Sequence, residues 1–180
     1  MKLEVPLKPL FDCPVTELKR ELAAAPDGVW DIDDSRSKRY AVHRQTRSIV
    51  FKWLENTWRP GTPALVQDFD YAPPSLAQCA LAMSDVFATF YGGKVVKLML
   101  AELPAGAQIT PHHDTAPALE MVHRCHVPVV TNAGVDFFID NVPHQLKAGT
   151  AYEVDNTRLH AVLNRGLAAR VHLICDVMPD

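Results

Sequence analysis

The residues best suited to chemistry in this sequence are histidines, and they are concentrated in the second half of the chain. Seven of the eight histidines lie between His112 and His172. Within this span, His112 and Asp114 are two residues apart. Residues two apart on an extended backbone point to the same side, so this imidazole and this carboxylate are able to bind one metal ion. His160, on a later predicted strand, would complete a set of three ligands.

Two imidazoles and one carboxylate form a facial triad, which suits iron(II) and leaves three positions open for a co-substrate and dioxygen. A single His-x-Asp triplet is common by chance, so the prediction depends on the residues around it. Arg170 follows His160 by ten residues and could bind the far carboxylate of a dicarboxylic acid in a bidentate pair. Arg124 and His126, two apart on one strand, add further donors. Together these residues indicate a site for a metal ion and an organic anion.

The segment from Lys94 onward predicts the scaffold for these side chains. Short apolar runs alternate with turn residues, which is typical of a jelly roll. The predicted strands are Val95–Leu103, Val122–Val130, Val135–Ile139, Ala151–Val154, His160–Leu163 and Arg170–Val177. We therefore expect a mainly β protein with flanking helices, built on a double-stranded β-helix (jelly roll, cupin-like) barrel.

The first half of the chain predicts support for this barrel. One surface helix begins near Pro14, a second spans Pro74–Phe90 and ends at a glycine pair, and Ser48–Leu54 has the pattern of a strand. The stretch Arg59–Pro74 is expected to be a loop. The length fits a single domain over residues 1–180, with 1–93 as helical and strand support and 94–180 as the metal-binding core.

The composition argues against two classes of binding partner. A formal charge of -3 and a pI near 6.2 argue against binding to nucleic acid or to an anionic membrane. The sequence has no CxxC pair and no apolar run typical of a signal peptide or a membrane span. We expect reduced cysteines, a cytoplasmic location and a small-molecule or peptide substrate, with the oligomeric state left open.

Several short motifs follow one another between Leu98 and Asp176. They are Leu103-Pro104-Ala105-Gly106, Pro111-His112-His113-Asp114, Arg124-Cys125-His126-Val127-Pro128, Leu146-Lys147-Ala148-Gly149, His160-Ala161-Val162-Leu163-Asn164 and Arg170-Val171-His172-Leu173. Their order and spacing resemble the aspartyl/asparaginyl β-hydroxylase family, which also includes bacterial proline hydroxylases. This resemblance implies iron(II), 2-oxoglutarate and dioxygen, with hydroxylation of an unactivated carbon as the reaction.

The resemblance also implies roles for individual residues. It makes His112 and His160 iron ligands, with Asp114 completing the triad, and Arg170 the partner of the distal 2-oxoglutarate carboxylate. It puts Arg124 and His126 near the carboxylate next to the keto group.

Four further residues carry weaker expectations. Asn164 resembles a family residue that supports the ligands, and it is equally well explained as a turn former before Gly166. His172 shares a strand face with Arg170 and could line the pocket. His43 and Arg47 lie in a basic segment that loosely resembles the family's pocket mouth, and a solvated strand edge explains them equally well.

Two other functions remain open on the residues alone. A cupin-like metal isomerase or hydrolase would use the histidines but would have no need of Arg170 and Arg124. A non-catalytic jelly roll that binds a small molecule would keep the whole site without turnover. Succinate release that depends on iron and 2-oxoglutarate would separate the oxygenase from both.

Overall fold

The computed structural model describes residues 3–180, and its centre is formed by two antiparallel β-sheets. The large sheet has seven strands in the order β1-β9-β6-β11-β4-β2-β3, and the small sheet has four in the order β5-β10-β7-β8. The strands are β1 Leu7–Asp12, β2 Arg47–Leu54, β3 Val66–Asp68, β4 Gly93–Leu103, β5 Gln108–His112, β6 His123–Val130, β7 Val135–Ile139, β8 Val142–His144, β9 Thr150–Val154, β10 His160–Asn164 and β11 Arg170–Pro179. This is the double-stranded β-helix that the sequence predicts.

A long helix, with a second helix packed beside it, covers the outer face of the large sheet. The α-helices are α1 Thr16–Ala24, α2 Ser35–Arg39, α3 Pro74–Tyr91 and α4 Pro117–Met121, and short 3-10 helices span Asp27–Asp31 and Ala41–His43. The long helix α3 buries Leu76 and Phe87 against the outer face of the large sheet. It ends at Gly92, whose φ of 61° is left-handed and suits glycine. Both predicted helices are confirmed.

The last strand separates the core from the cavity by simple alternation. Val171, Leu173, Cys175 and Val177 all belong to the apolar cluster beneath α3. Arg170 and Ile174, which alternate with these residues, face the space between the two sheets and line a cavity. Side chains on a strand alternate between its two faces, so one apolar set and one functional set share a single strand.

The structure corrects the sequence predictions in three places. Residues 59–74 were expected to form a loop, but Val66–Asp68 forms strand β3 beside β2. Val142–His144 was not predicted as a strand, but it forms β8 beside β7, because the reversal is made by Asp140 and Asn141, which both have positive φ. Leu7–Asp12 was not predicted as a strand, and it pairs with β9 at the edge of the large sheet.

Strands from both halves of the sequence share the large sheet. Strands β1, β2 and β3 come from residues before position 93, and β4, β6, β9 and β11 follow them. The first half therefore contributes part of the sheet as well as the covering helices. Within residues 3–180, no helix is long and apolar enough to cross a bilayer.

Candidate active site and metal centre

A cavity of about 360 Å³ lies between the two sheets. Its walls come from the inner face of the large sheet and from β5 and β10 of the small sheet, and residues of α2 and of the following 3-10 helix line it as well. Most residues predicted to do chemistry line this cavity. They are His43, His112, Asp114, Arg124, His126, His160 and Arg170.

The three predicted metal ligands come together at one point of the cavity wall. His112 ends β5, His160 begins β10, and the two are direct cross-strand partners. Asp114 follows two residues after His112, and one ligand atom from each of the three lies within 4.8 Å of the others. The His112 Nε2 to Asp114 Oδ1 distance is 3.9 Å. Two atoms that each lie about 2.1 Å from a shared ion are at most about 4.2 Å apart, so this pair fits one metal ion.

Backbone carbonyls set the tautomer of both histidines. The Nδ1 of His112 lies 2.8 Å from the carbonyl oxygen of Thr110, and the Nδ1 of His160 lies 2.9 Å from that of Arg158. A carbonyl only accepts hydrogen bonds, so each Nδ1 carries the proton and donates it. Each Nε2 is then left with a free lone pair, which is the form a metal ion binds.

Asp114 is held in place by two neighbours. Its Oδ2 accepts hydrogen bonds from Nη1 of Arg124 and, at 3.3 Å, from Nδ2 of Asn156. Burial acts to raise the pKa of Asp114, but Arg124, followed by His160 and Lys97, holds that pKa well below its usual range. The carboxylate is therefore ionised at neutral pH, and its Oδ1 faces His112.

Arg124 itself is bound on both sides by carboxylates. Its Nε and Nη2 donate to the two oxygens of Asp176 at 2.8 and 2.7 Å, while its Nη1 donates to Asp114. Burial acts to lower the pKa of Arg124, and the two carboxylates raise it above its ordinary value. Its expected contact with the carboxylate beside the keto group of 2-oxoglutarate stays a prediction.

Arg170, at the deep end of the cavity, differs from Arg124 in its partners. Arg170 is only 2% exposed, and its guanidinium donates to Nδ1 of His172, which also lies 3.3 Å from Nδ1 of His126. Across residues 3–180 no carboxylate pairs with Arg170, and its Nε is buried without a partner. Burial, followed by Arg36, lowers its pKa to about 9. A buried cation without a counter-ion is costly, and an anionic ligand would relieve that cost.

The remaining predicted residues divide into those near the cavity and those away from it. The ring of His43 lies 5.4 Å from that of His112, in an edge-on arrangement. His172 is buried beside Arg170. Asn164 is fully buried and donates to the carbonyls of Leu103, Pro104 and Ala168, so it closes the turn around the end of β10.

Arg47 is not among the residues that line the cavity. Its guanidinium pairs with Glu102 at 2.8 Å and with Asp27 at 3.3 Å, and it lies over the ring of Trp30. These contacts explain the position of Arg47 without a substrate.

Three residues at the site were not predicted from the sequence. Arg36, Lys97 and Asn156 all line the cavity. Lys97 had a readable signal, because it interrupts the otherwise apolar run Val95–Ala101 and shares a strand face with Met99. Arg36 and Asn156 lie in polar segments that resemble ordinary surface turns, and only tertiary packing brings them to the cavity.

The donor set fits the expected cofactor. Two neutral imidazole nitrogens and one carboxylate oxygen suit iron(II). The unpaired guanidinium of Arg170 suits the far carboxylate of a dicarboxylic acid. A jelly roll with these two features is characteristic of the iron(II) and 2-oxoglutarate oxygenase class.

The chain belongs to the aspartyl/asparaginyl β-hydroxylase family, whose family model matches residues 16–179. No curated protein matches the sequence at a significant level. Family membership makes the chain a 2-oxoglutarate-dependent hydroxylase that uses iron(II) and dioxygen.

Solved structures of similar fold agree with this class. A viral collagen prolyl hydroxylase from Paramecium Bursaria Chlorella virus-1, in its 2OG complex, has a TM-score of 0.60 at 11% identity and covers 98% of this chain and 97% of its own. A prolyl-4-hydroxylase from Pseudomonas putida has a TM-score of 0.57 at 14% identity, with 98% and 94% covered. An oxidoreductase of the 2OG-Fe(II) oxygenase family from Burkholderia pseudomallei has a TM-score of 0.61 at 11% identity, with 97% and 85% covered. At these identities the likeness establishes the fold.

Proposed function

We propose that this chain hydroxylates an unactivated carbon of a free amino acid or of an amino-acid residue in a small peptide, with iron(II) held by His112, Asp114 and His160. The observation that carries the proposal is the convergence of these three side chains in one cavity with a buried arginine that no carboxylate of residues 3–180 pairs with. When bound, iron(II) would activate dioxygen, the oxidant of the reaction, in which the substrate, dioxygen and 2-oxoglutarate give the hydroxylated product, succinate and carbon dioxide.

The chain's own residues prepare the cavity for this reaction. Thr110 and Arg158 fix the two imidazoles through their carbonyl oxygens, so both Nε2 atoms are available as ligands. Arg124 and Asn156 turn one oxygen of Asp114 away and leave the other for the metal. Such neighbours hold metal ligands in the right orientation and tautomer.

The deep end selects the co-substrate. Arg170 would bind the distal carboxylate of 2-oxoglutarate, with His172 fixing the direction of its guanidinium. His126 lines the same cavity next to His172, with its ring edge-on to Phe137 at 5.6 Å. This position is consistent with a contact to the keto-acid end of the co-substrate.

The alternative functions differ in what they ask of Arg170. A cupin-like isomerase or hydrolase gains nothing from a buried and unpaired guanidinium that costs stability. A non-catalytic jelly roll would keep Arg170 to bind a carboxylate, and only the absence of turnover distinguishes it. We also propose a cytoplasmic location and a substrate that is not a nucleic acid. The negative net charge supports the second of these.

The decisive experiment is a succinate assay on metal-free protein. We expect succinate only when iron(II), 2-oxoglutarate and dioxygen are all present, and none when zinc(II) replaces iron(II). Product formation with zinc(II) and no dioxygen would support the isomerase or hydrolase instead. Tight 2-oxoglutarate binding with no succinate under any substrate mixture would support the non-catalytic alternative.

A further inference from the structure

The wall of the cavity mouth carries a cross-strand row in which the carboxylate of Asp176 lies between two cations. Trp53, Lys97, Asp176 and Arg124 are cross-strand neighbours on β2, β4, β11 and β6. Both oxygens of Asp176 accept hydrogen bonds from Arg124, and the Nζ of Lys97 is 3.9 Å from the nearer oxygen. The carboxylate nearest to Lys97 is therefore already bound by Arg124.

The ammonium group of Lys97 has an aromatic neighbour in place of a counter-ion of its own. Its Nζ lies 4.0 Å from the ring centroid of Trp53, and its side chain is 15% exposed. Burial, followed by the nearby Arg124, lowers the pKa of Lys97 to about 8. The group is still mostly protonated at pH 7, so it presents a positive charge to the cavity.

Arg36 on α2 is a second cation at this mouth, and its side-chain partners are neutral. Its Nη1 donates to Oγ1 of Thr46 at 2.9 Å, and its Nη2 donates to Nε2 of His43 at 3.1 Å. No carboxylate within residues 3–180 forms an ion pair with it. Burial, followed by Arg124, lowers its pKa to about 10.

The hydrogen bond from Arg36 also fixes what His43 offers. A guanidinium only donates, so Nε2 of His43 is the acceptor and the proton of the neutral ring is on Nδ1. That Nδ1 is buried and has no hydrogen-bond partner in the described part of the chain. His43 thus contributes an unused N–H donor beside two cations that lack counter-ions of their own.

The total charge of the cavity also favours the binding of a further anion. Four cations, Arg36, Lys97, Arg124 and Arg170, surround the two carboxylates Asp114 and Asp176. Iron(II) and 2-oxoglutarate carry equal and opposite charges, so their binding leaves the excess of positive charge unchanged. Uncompensated charge in a partly buried site is costly, and a further anion would reduce that cost.

We propose, resting on the hydroxylase function above, that Arg36, Lys97 and His43 form an anion subsite that binds a carboxylate of the substrate being hydroxylated. The aromatic rings of Tyr40 and Trp53 line the cavity beside this subsite and would contact the apolar part of the substrate. The substrate is then a small organic acid of the amino-acid type, bound by its carboxylate at the mouth while the co-substrate occupies the deep end. The carboxylate is either the α-carboxylate of a free amino acid or an acidic side chain in a peptide.

A substrate screen with matched acids and amides tests this directly. The panel contains the twenty free amino acids, their C-terminal amides, and end-blocked tripeptides with Asp or Asn at the centre. Each is incubated with the iron(II)-loaded enzyme and 2-oxoglutarate, and the gain of one oxygen is measured by mass spectrometry. We expect acids to be hydroxylated at least about tenfold faster than their amides at low concentration.

The screen also separates the two sources of the carboxylate. Turnover of free amino acids and not of their amides assigns the subsite to the α-carboxylate. Turnover of the blocked Asp peptide and not of the blocked Asn peptide assigns it to an acidic side chain. Measurable and equal turnover of the free acids and their amides, together with equal turnover of the Asp and Asn peptides, overturns the proposal while leaving the hydroxylase function intact.

A binding measurement tests the subsite without knowledge of the substrate. Manganese(II) is paramagnetic and broadens the NMR lines of molecules that bind near it. Propionate and propionamide are titrated against protein that holds manganese(II) and 2-oxoglutarate without oxygen. We expect stronger broadening of the propionate methyl signal than of the propionamide signal. Equal broadening of the two probes contradicts the subsite.

Two variants and two controls connect either result to the named residues. Arg36→Gln and Lys97→Met should each reduce the broadening by propionate and raise the KM for an acid substrate about ten- to a hundredfold. The affinity for 2-oxoglutarate should change less than about threefold, which distinguishes this subsite from a general loss of the active site. Lys38→Gln on α2 and Lys94→Met on β4 remove exposed charges and should leave both measurements unchanged. Equal effects of variants and controls would overturn the proposal.

Discussion

Two buried arginines that line the same cavity differ in their partners. Arg124 is held between Asp114 and Asp176. Arg170 has a neutral histidine as its hydrogen-bond partner, and no carboxylate of residues 3–180 pairs with it. The first arginine is satisfied by the protein and orients a metal ligand. The second has an unfilled requirement for negative charge, so it is the one that an incoming anion can use.

The pKa shifts of the two guanidinium groups follow from this difference. Burial acts to lower the pKa of both. At Arg124 the two carboxylates outweigh burial and raise the pKa, while at Arg170 burial and the neighbouring Arg36 lower it to about 9. Burial alone therefore does not distinguish a structural arginine from a ligand-binding one, and the partners do.

The largest effect is expected from removing a metal ligand. His160→Ala should lower 2-oxoglutarate turnover at least about a thousandfold, because a metal ion contributes several kcal/mol to transition-state stabilisation. Bound iron, measured by elemental analysis, should fall in parallel. His144→Ala, on edge strand β8, is the control and should keep both. Full turnover in the His160 variant would remove this residue from the site.

The next largest effect concerns the stability contributed by Arg124. Arg124→Met leaves two carboxylates without their partner, and Asp176 is only 1% exposed. We expect a loss of about 3–5 kcal/mol in the free energy of unfolding, measured by urea denaturation of the metal-free protein. Lys52→Met, which breaks the exposed pair with Asp68, should cost less than about 1 kcal/mol. A similar small loss in both variants would refute the structural role of Arg124.

Arg170→Met should have the opposite profile. The affinity for 2-oxoglutarate, measured by calorimetry with manganese(II) in place of iron, should fall about ten- to a hundredfold. The free energy of unfolding without ligand should stay the same or rise, since the variant buries no unpaired charge. A destabilisation comparable to that of Arg124→Met would mean that both arginines have a structural role.

The smallest effect is a pH dependence at the deep end. Burial, followed by Arg170, lowers the pKa of both His126 and His172 well below the ordinary value of 6.5. As the pH falls below 6.5 the unfolded chain takes up protons that the folded chain does not, so the free energy of unfolding decreases. The decrease should continue through the range from about pH 6 to about pH 5.

The contribution of one histidine can be isolated. His172→Asn should reduce the slope of this decrease by about 1.4 kcal/mol per pH unit, the value for one proton. The measurement is urea denaturation of the metal-free protein at several pH values. Parallel curves for the variant and the original protein would show that His172 takes up its proton in both states.

Most of the barrel was predictable from the sequence because its strands have clear boundaries. The strands from Val95 to Val177 are bounded by turn residues, and the last strand alternates between core and cavity as expected. Strand β1 was missed because Lys8 and Pro9 interrupt any alternation. Its stability as a strand comes from pairing with β9, about 140 residues later in the chain. Such a distant partner leaves no local pattern.

The site was predictable to the extent that its residues are close in sequence or share a strand. The spacing of His112 and Asp114 and the position of Arg170 on a strand face could be read directly. Arg36 could not, because it lies in a five-residue helix before the barrel begins and only the packing of α2 brings it to the cavity. Arg47, in the same basic region, forms an ion pair with Glu102 instead.

The origin of the mouth residues has a consequence for how this enzyme can diversify. The metal ligands and Arg170 belong to β5, β10 and β11 or the turn after β5, whereas Arg36 and His43 come from the connecting segment before β2. Changes in that short segment can accumulate across generations without disturbing the strands that hold the catalyst. Paralogues that share the same barrel could therefore acquire different preferences by exchanging a piece of chain no longer than about ten residues.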